Sequence, residues 1–328
     1  MFVEKILYFC IITIVSMQHL PTISVVIPVY GVERYIAHFA ESLFSQSYPN
    51  AQFVFVNDGT KDCSMEILNK IIEEKYSHLR PQIVIVNKEN GGLPAARRTG
   101  LEHATGDYIF NVDPDDWLAD GALQMIGKKI AETGCDLLYF GIVKVYAKHK
   151  SYKRQRIYTA EQRKQFVRDI YNHHAMGSLW SKCIKRSLFE EHTIYTPRYS
   201  HAEDSFVTTQ LVGYATNIAY LDEILYCYRK DNPTAMTRNN IRRRKREYAL
   251  NFLNLYEKYR EVPIEINPVA VIFDDIVMQA GWYSICYRLG LFEEFPYLAA
   301  EVRKAKIHRK TDVPIVAQLL TKLVAWFK

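Results

Sequence analysis

The sequence predicts an α/β fold, a mostly parallel central sheet flanked by helices and followed by a helical C-terminal extension. Three observations predict it. From Thr22 onward, short β-rich runs alternate with stretches of helical period, as in a sheet whose strands are joined by helices. Three of the strands run into polar clusters at their C-terminal ends, the edge at which open α/β sheets bind ligands. From Asn239 nearly everything has a helical period, broken at Pro263, Pro268 and Pro296.

Taken in order, Ile23 to Val29 is a continuous apolar run and predicts a buried strand. Glu33 to Ser47 has a helical period, Gln52 to Asn57 reads as a strand and Cys63 to Tyr76 as a helix. Ile83 to Val86 is a third strand, Leu93 to Ala104 a helix, and Tyr108 to Val112 a fourth strand that runs into Asp113, Asp115 and Asp116. Beyond Gly121 come a helix, a strand over Leu137 to Val145 and a basic linker from Lys148 to Arg156. Asp204 to Tyr214 reads as a helix, and Asn217 to Tyr228 as a strand pair turning at Leu221-Asp222-Glu223. The organisation expected is an N-terminal apolar segment (1–20), an α/β domain (21–232) and a helical C-terminal region (233–328).

Composition narrows the class. The chain has 328 residues, 48% hydrophobic and 24% charged, with 14 Gly and 12 Pro, so low-complexity and wholly disordered readings fail. The net charge of +6 suits anionic ligands or a membrane surface and is too weak to argue for nucleic acid. Six dispersed cysteines form no CxxC pair, which reads as reduced, mostly buried thiols, and Pro233 disqualifies the sequon at Asn232. Ile6 to Val15 is an apolar run after Lys5, too short to span a membrane; Met17 begins MQHLPTISVVIPVYG, so residues 1–16 read as dispensable.

The cluster Asp113-Pro114-Asp115-Asp116-Trp117 ends a buried strand. Carboxylates at i and i+2 of an extended chain point the same way and can share a hard divalent cation, Mg²⁺ or Mn²⁺, which keeps sites for substrate phosphates. In isolation the same residues serve a solvated helix N-cap. Around it stand Ile27-Pro28-Val29-Tyr30-Gly31, Val56-Asn57-Asp58-Gly59-Thr60-Lys61-Asp62, Asn90-Gly91-Gly92-Leu93-Pro94-Ala95-Ala96-Arg97 and Gly106-Asp107-Tyr108-Ile109. No GxGxxG follows the first strand and Gly121 to Lys129 lacks Walker spacing.

In order and spacing these motifs resemble the nucleotide-sugar-binding half of the family 2 glycosyltransferases, from about Thr22 to Trp117. The resemblance continues more loosely through Trp180-Ser181-Lys182, His201-Ala202-Glu203-Asp204 and Tyr226-Cys227-Tyr228-Arg229. It implies a GT-A fold and an inverting, metal-dependent transfer of one sugar from a nucleotide-sugar donor, UDP-linked, to a glycan or lipid-linked acceptor. Asn57, Gly31 and Pro114 depart from the family's pattern without deleting a required charge. The QxxRW element of processive polymerases is not evident, which favours single-sugar addition.

The resemblance assigns Pro28, Val29, Tyr30, Glu33, Asp58, Asn90, Gly92, Arg97, Asp113 and Asp116 to the donor, and Asp113 and Asp115 to the metal. Tyr30 offers a stacking face for a base or packs against the following helix. Asp58 accepts from the nucleoside or caps the next helix. Arg97 braces the pocket, neutralises phosphate or pairs with a carboxylate. Asp204 matches the family's general base, or with Glu203 only begins the helix that follows; Trp117, Trp180 and Glu203 are assigned to the acceptor side, with core packing the alternative for Trp180. Competing readings are a nucleotidyltransferase, which would need a Gly-rich, Lys/Arg-bearing phosphate loop not found early in the chain, and an inactive glycan-binding protein of the same fold. The basic run 242–246 and the amphipathic segment 313–328 are expected to give weak peripheral attachment to the cytoplasmic membrane face.

Overall fold

The computed structural model describes residues 20–233 and 241–274. These divide into two units, each described by itself. The first takes the described residues up to Ala160, with Ser178–Thr193 and Ala215–Asn232; the second takes Glu161–Gly177, Ile194–Tyr214 and the described residues from Pro233 onward. The apolar N-terminal run, Met17 and the segment 313–328 lie outside the described residues.

The first unit is built on one mixed sheet. Its parallel half consists of β1 (Ile23–Val29), β2 (Ala51–Asn57), β3 (Ile83–Asn87) and β4 (Tyr108–Asn111), ordered β3-β2-β1-β4. Every residue of β1 is buried, as its unbroken apolar sequence requires of a strand covered on both faces. The crossovers are α1 (Ile36–Phe44), α2 (Ser64–Lys75) and α3 (Leu93–Glu102). Helix α1 buries Ile36, Phe39, Ala40, Leu43 and Phe44, the i, i+3, i+4, i+7, i+8 stripe of an amphipathic helix, and Phe44 packs edge-on to Phe53 of β2 at 5.4 Å.

The other half continues through β8 (Lys182–Lys185), β6 (Leu137–Val145), β9 (Ile218–Arg229) and the two-residue β5 (Trp117–Leu118), with β7 (Lys150–Lys153) paired to β6. Helix α4 (Ala122–Thr133) precedes β6, and the short α6 (Ser187–Glu191) follows β8. Strand β8 runs antiparallel to both β4 and β6 and joins the halves, while β6 and β9 run parallel.

Two sequence expectations change here. The expected strand pair over Asn217 to Tyr228 is one continuous strand, β9. Its pairing to β6 slips between Phe140↔Leu221 and Gly141↔Ile224, so Asp222 and Glu223 form an irregularity and not a turn. Gly141 permits this, because a Cβ there would lie 2.7 Å from Ile224 Cδ1 and 3.0 Å from the Glu223 carbonyl oxygen. Within the basic linker, Lys150–Lys153 forms a strand, antiparallel to the end of β6.

The second unit is helical among its described residues: α5 (Arg163–Tyr171), α7 (Glu203–Tyr214), α8 (Ile241–Tyr259) and α9 (Ala270–Asp274). Tyr171 meets Phe252 at 5.5 Å and Phe206 meets Tyr248 at 4.9 Å, which packs α8 against α5 and α7. Buried Gln210 binds the Tyr195 main chain through both its amide atoms and accepts from the Tyr259 hydroxyl at 2.8 Å. Cys135 and Cys183 are buried and Cys63 exposed, and no disulfide occurs among the described residues. No described helix is long and apolar enough to cross a membrane.

Candidate active site

The parallel strands end at one edge, and the loops that follow them are tied together. Asp58, directly after β2, donates its amide to Val29 O at 3.1 Å. Its buried carboxylate accepts from Gly91 N and Gly92 N, each at 2.9 Å, and from Lys88 Nζ at 2.6 Å. These are charge-assisted bonds in a site with little water, where they strongly fix the loop carrying Asn90 to Gly92. Gly59 adopts φ +66°, and a Cβ there would stand 3.0 Å from Asn90 N.

The loop after β1 is held by Asp62, which accepts from Glu33 N at 3.0 Å and from the hydroxyls of Thr60 and Ser64 at 2.7 and 2.6 Å. Burial pushes the Asp62 carboxyl up, but the hydroxyl and amide donors outweigh it and hold the group below the ordinary range. Glu33 accepts from Cys63 N at 3.2 Å, at the start of α2. Pro28 and Val29 are buried within β1, whereas Tyr30, directly after it, is 54% exposed.

The acidic loop follows β4. Asp113 Oδ1 pairs with Arg97 of α3 at 2.7 Å. Asp115 Oδ2 accepts from Asn232 Nδ2 at 2.8 Å, and Asn232 is itself bonded to the Tyr35 hydroxyl at 3.3 Å. Asp116 is 1% exposed and accepts from the Tyr226 hydroxyl at 2.8 Å and from Arg229 N at 2.7 Å. The same hydroxyl accepts from Asp113 N at 3.1 Å, so Tyr226 bridges the two ends of the motif. Arg229 Nε donates to Asp115 O at 2.8 Å, and its guanidinium lies about equally over the rings of Tyr35 and Trp117, at 5.0 and 4.9 Å.

Crowding has an electrostatic cost. Burial first, then the charge of Asp113, raises the Asp115 carboxyl; burial, then Asp115 and Asp113, holds Asp116 well above the ordinary carboxylate range. Asp116 is thus absorbed by its buried partners, while Asp113 and Asp115 are half-buried at the strand edge. Two carboxylates of one loop are an all-oxygen donor set of the kind that Mg²⁺ or Mn²⁺ takes together with water and phosphate oxygens, while no group of three or more His, Cys, Asp or Glu placed to hold a metal ion occurs among the described residues.

Trp180 stacks on Tyr226 at 4.7 Å and Tyr228 at 5.0 Å, and Trp117 meets His38 edge-on at 5.0 Å. The remaining expected residues, Glu203 and Asp204, open α7 in the second unit. Ala202 before them adopts φ +58°, a strained value for a residue with a Cβ, and its carbonyl accepts from Ser205 N and Phe206 N. Buried Asn251 of α8 fixes the approach to this turn through Tyr199 O at 2.9 Å and His201 O at 3.2 Å. The charge of Asp204 adds to burial in raising the Tyr248 hydroxyl. Glu203 is buried.

Sequence reasoning attached no role to Lys88, Tyr226, Arg229, Asn232 or Asn251. The Tyr226 to Arg229 stretch carried a signal as part of a motif, but the other three had none, since Asn232 stood out only as a failed sequon.

Comparison with known proteins extends the geometry. The chain is 31% identical over 225 residues to the glycosyltransferase GlyA of Streptococcus pneumoniae, a match taking in 63% of this chain and 30% of that relative's length. Among solved structures, S. aureus TarS residues 1–349 in complex with UDP-GlcNAc matches with a TM-score of 0.63 at 18% identity, covering 93% of this chain and 89% of that one. The mannosyltransferase PcManGT from Pyrobaculum calidifontis, in complex with GDP-Man and Mn²⁺, matches with a TM-score of 0.54 at 16% identity, covering 95% and 82%. These two likenesses are of fold. The model of glycosyl transferase family 2 matches residues 24–193, more than half of the chain, from the second residue of β1 through β4, the acidic loop and Trp180; the chain belongs to that family.

Proposed function

We propose that this chain moves a single sugar, with inversion at C1, from a UDP-linked donor to a hydroxyl of a glycan or lipid-linked saccharide. The observation that carries the reading is the juxtaposition, at the C-terminal edge of β1, β2 and β4, of the exposed Tyr30 ring, the Asp58-bound glycine loop and the half-buried Asp113 and Asp115. The nucleotide complexes of TarS and PcManGT, which share the fold, support it.

In this reading Tyr30 stacks on the base, Asp58 fixes the main chain that approaches the nucleoside, and Asp113 and Asp115 hold a Mg²⁺ or Mn²⁺. The cation supplies positive charge to the leaving diphosphate. Arg97 and Asn232 orient the two carboxylates, so little reorganisation is needed when the donor binds. Asp204 takes the proton of the acceptor hydroxyl as that oxygen bonds to C1 and the bond from C1 to the phosphate oxygen breaks. The nucleoside diphosphate leaves and no covalent intermediate forms. Peripheral membrane attachment through the basic run 242–246, all of which lies in the first turns of α8, belongs to the same proposal.

The test is nucleotide release from UDP-, GDP- and dTDP-sugars with Mn²⁺, Mg²⁺ or chelator, for the wild type, Asp115→Ala and Asp204→Asn. Metal-dependent turnover of one UDP-sugar, abolished by Asp115→Ala and depressed at least about 100-fold by Asp204→Asn, is the expected outcome. Release of pyrophosphate in place of nucleoside diphosphate would point to nucleotidyl transfer, and binding of UDP with no turnover on any acceptor would point to an inactive member.

A further inference from the structure

Strand pairing gathers a set of cations on one face of the mixed half-sheet. Ile142 of β6 lies opposite Tyr226 of β9 and Lys153 of β7, and Lys144 lies opposite Tyr228 and Ser151. Residues paired across strands, or two apart along one, share a face. Tyr226, Tyr228, Lys144 and Lys153 therefore stand together, and Lys230 joins them: its amide bonds to Val145 O at 2.8 Å and its ammonium sits 4.9 Å from the centre of the Tyr228 ring.

Buried contacts link this face to the acidic loop. From Asp116 the path runs to the Tyr226 hydroxyl at 2.8 Å, then over Trp180, stacked between Tyr226 and Tyr228, and on to the lysines. Neighbouring strands lie about 4.8 Å apart, so crossing from β9 to β7 extends the surface by about 10 Å. Neither Lys144 nor Lys153 makes an ion pair among the described residues. Burial first, then Lys230 and Lys153, pull the Lys144 ammonium below its ordinary value. Like charges held together in this way repel one another, and an anion laid across them relieves the repulsion.

We propose that Lys144, Lys153 and Lys230, with the Trp180 and Tyr228 rings, form the acceptor track of this enzyme and that the acceptor is a glycan carrying phosphate groups along its chain. This rests on the transferase reading above. The flat, half-buried aromatic rings suit sugar rings beside the reacting hydroxyl, and ammonium groups act as point charges on phosphate without demanding a planar partner. The face lies beyond the donor-side loops, on a different set of strands, so it selects the acceptor and leaves the nucleotide untouched.

The test uses fluorescent poly(glycerol phosphate) oligomers, dextran and oligogalacturonate of matched length, and phosphatidylglycerol vesicles, with the full chain and its Lys144→Glu/Lys153→Glu variant. UDP binding is measured in parallel and is expected to be the same in both proteins; Lys144→Gln/Lys153→Gln serves if charge reversal impairs folding. The wild type is expected to bind the glycerol phosphate oligomer in a salt-sensitive manner, at least about tenfold tighter than dextran or oligogalacturonate, and the variant to lose about tenfold. Equal affinity of variant and wild type, equal binding of dextran, or preference for the carboxylate oligomer would overturn the proposal. So would lysine-dependent binding of vesicles without binding of the oligomer. Failure of the wild type to turn over any donor would strike the transferase reading, whereas donor turnover without oligomer binding would strike the track alone.

Discussion

The two halves of the sheet hold their carboxylates in opposite ways. On the parallel half, Asp58 is fixed by Lys88, Gly91 and Gly92, all on the next loop of the chain. After the last parallel strand, β4, Asp115 and Asp116 are instead fixed from the mixed half, by Tyr226, Arg229 and Asn232, more than a hundred residues away. The first arrangement makes the donor loops a locally wired unit. The second makes the acidic loop depend on β9, so changes in the mixed half reach the proposed metal site through the backbone of Asp115 and the Tyr226 bridge.

The largest effect that sharpens this contrast is Asp58→Ala. It leaves Lys88 half-buried without its carboxylate and two amides without an acceptor, and should cost about 3 kcal/mol in chemical denaturation together with nucleotide affinity. Tyr226→Phe removes one hydroxyl that serves both Asp116 and the Asp113 amide. A loss of about 2 kcal/mol is expected, with a larger relative fall in metal-dependent turnover than in UDP affinity. Equal falls in both would break the proposed separation of the two halves.

Much of the parallel half was legible because its information is local. The apolar run of β1, the stripe of α1 and the glycines after β3 each lie within a few residues of what they determine. β9 was read as a hairpin because Asp222 and Glu223 are polar and turn-like in sequence. What keeps the strand continuous is the missing Cβ of Gly141, on a strand about eighty residues earlier. The acidic triplet was equally visible. The division of labour inside it was not, because the burial of Asp116 against Tyr226 and Arg229 is a property of pairing between β5 and β9.

Smaller effects probe the mixed half at positions that make no contact with the acidic loop. Gly141→Ala should cost about 1–2 kcal/mol, read as a fall in Tm, since the new methyl must displace Ile224 and the Glu223 carbonyl. Asp136, which caps β9 through Thr216 and Asn217 at 2.7 to 3.0 Å, carries a carboxyl held below its ordinary value: burial opposes this, and the Thr216 and Asn217 donors prevail. Its folded pKa is depressed, so its stabilisation is full above the unfolded value of about 3.9 and is lost as pH falls through the folded one. Asp136→Asn should therefore lower stability by about 1 kcal/mol at neutral pH and flatten the acid limb of the stability profile.

In the proposed function, Asp113 and Asp115 form a cation site completed by a nucleotide diphosphate. Electron paramagnetic resonance of Mn²⁺, titrated with UDP, tests it directly. Weak Mn²⁺ binding to the protein alone is expected, with retention of the ion when UDP is added and loss of that retention in Asp115→Asn, while Asp136→Asn behaves as wild type. Retention of Mn²⁺ by Asp115→Asn to the same degree would contradict it.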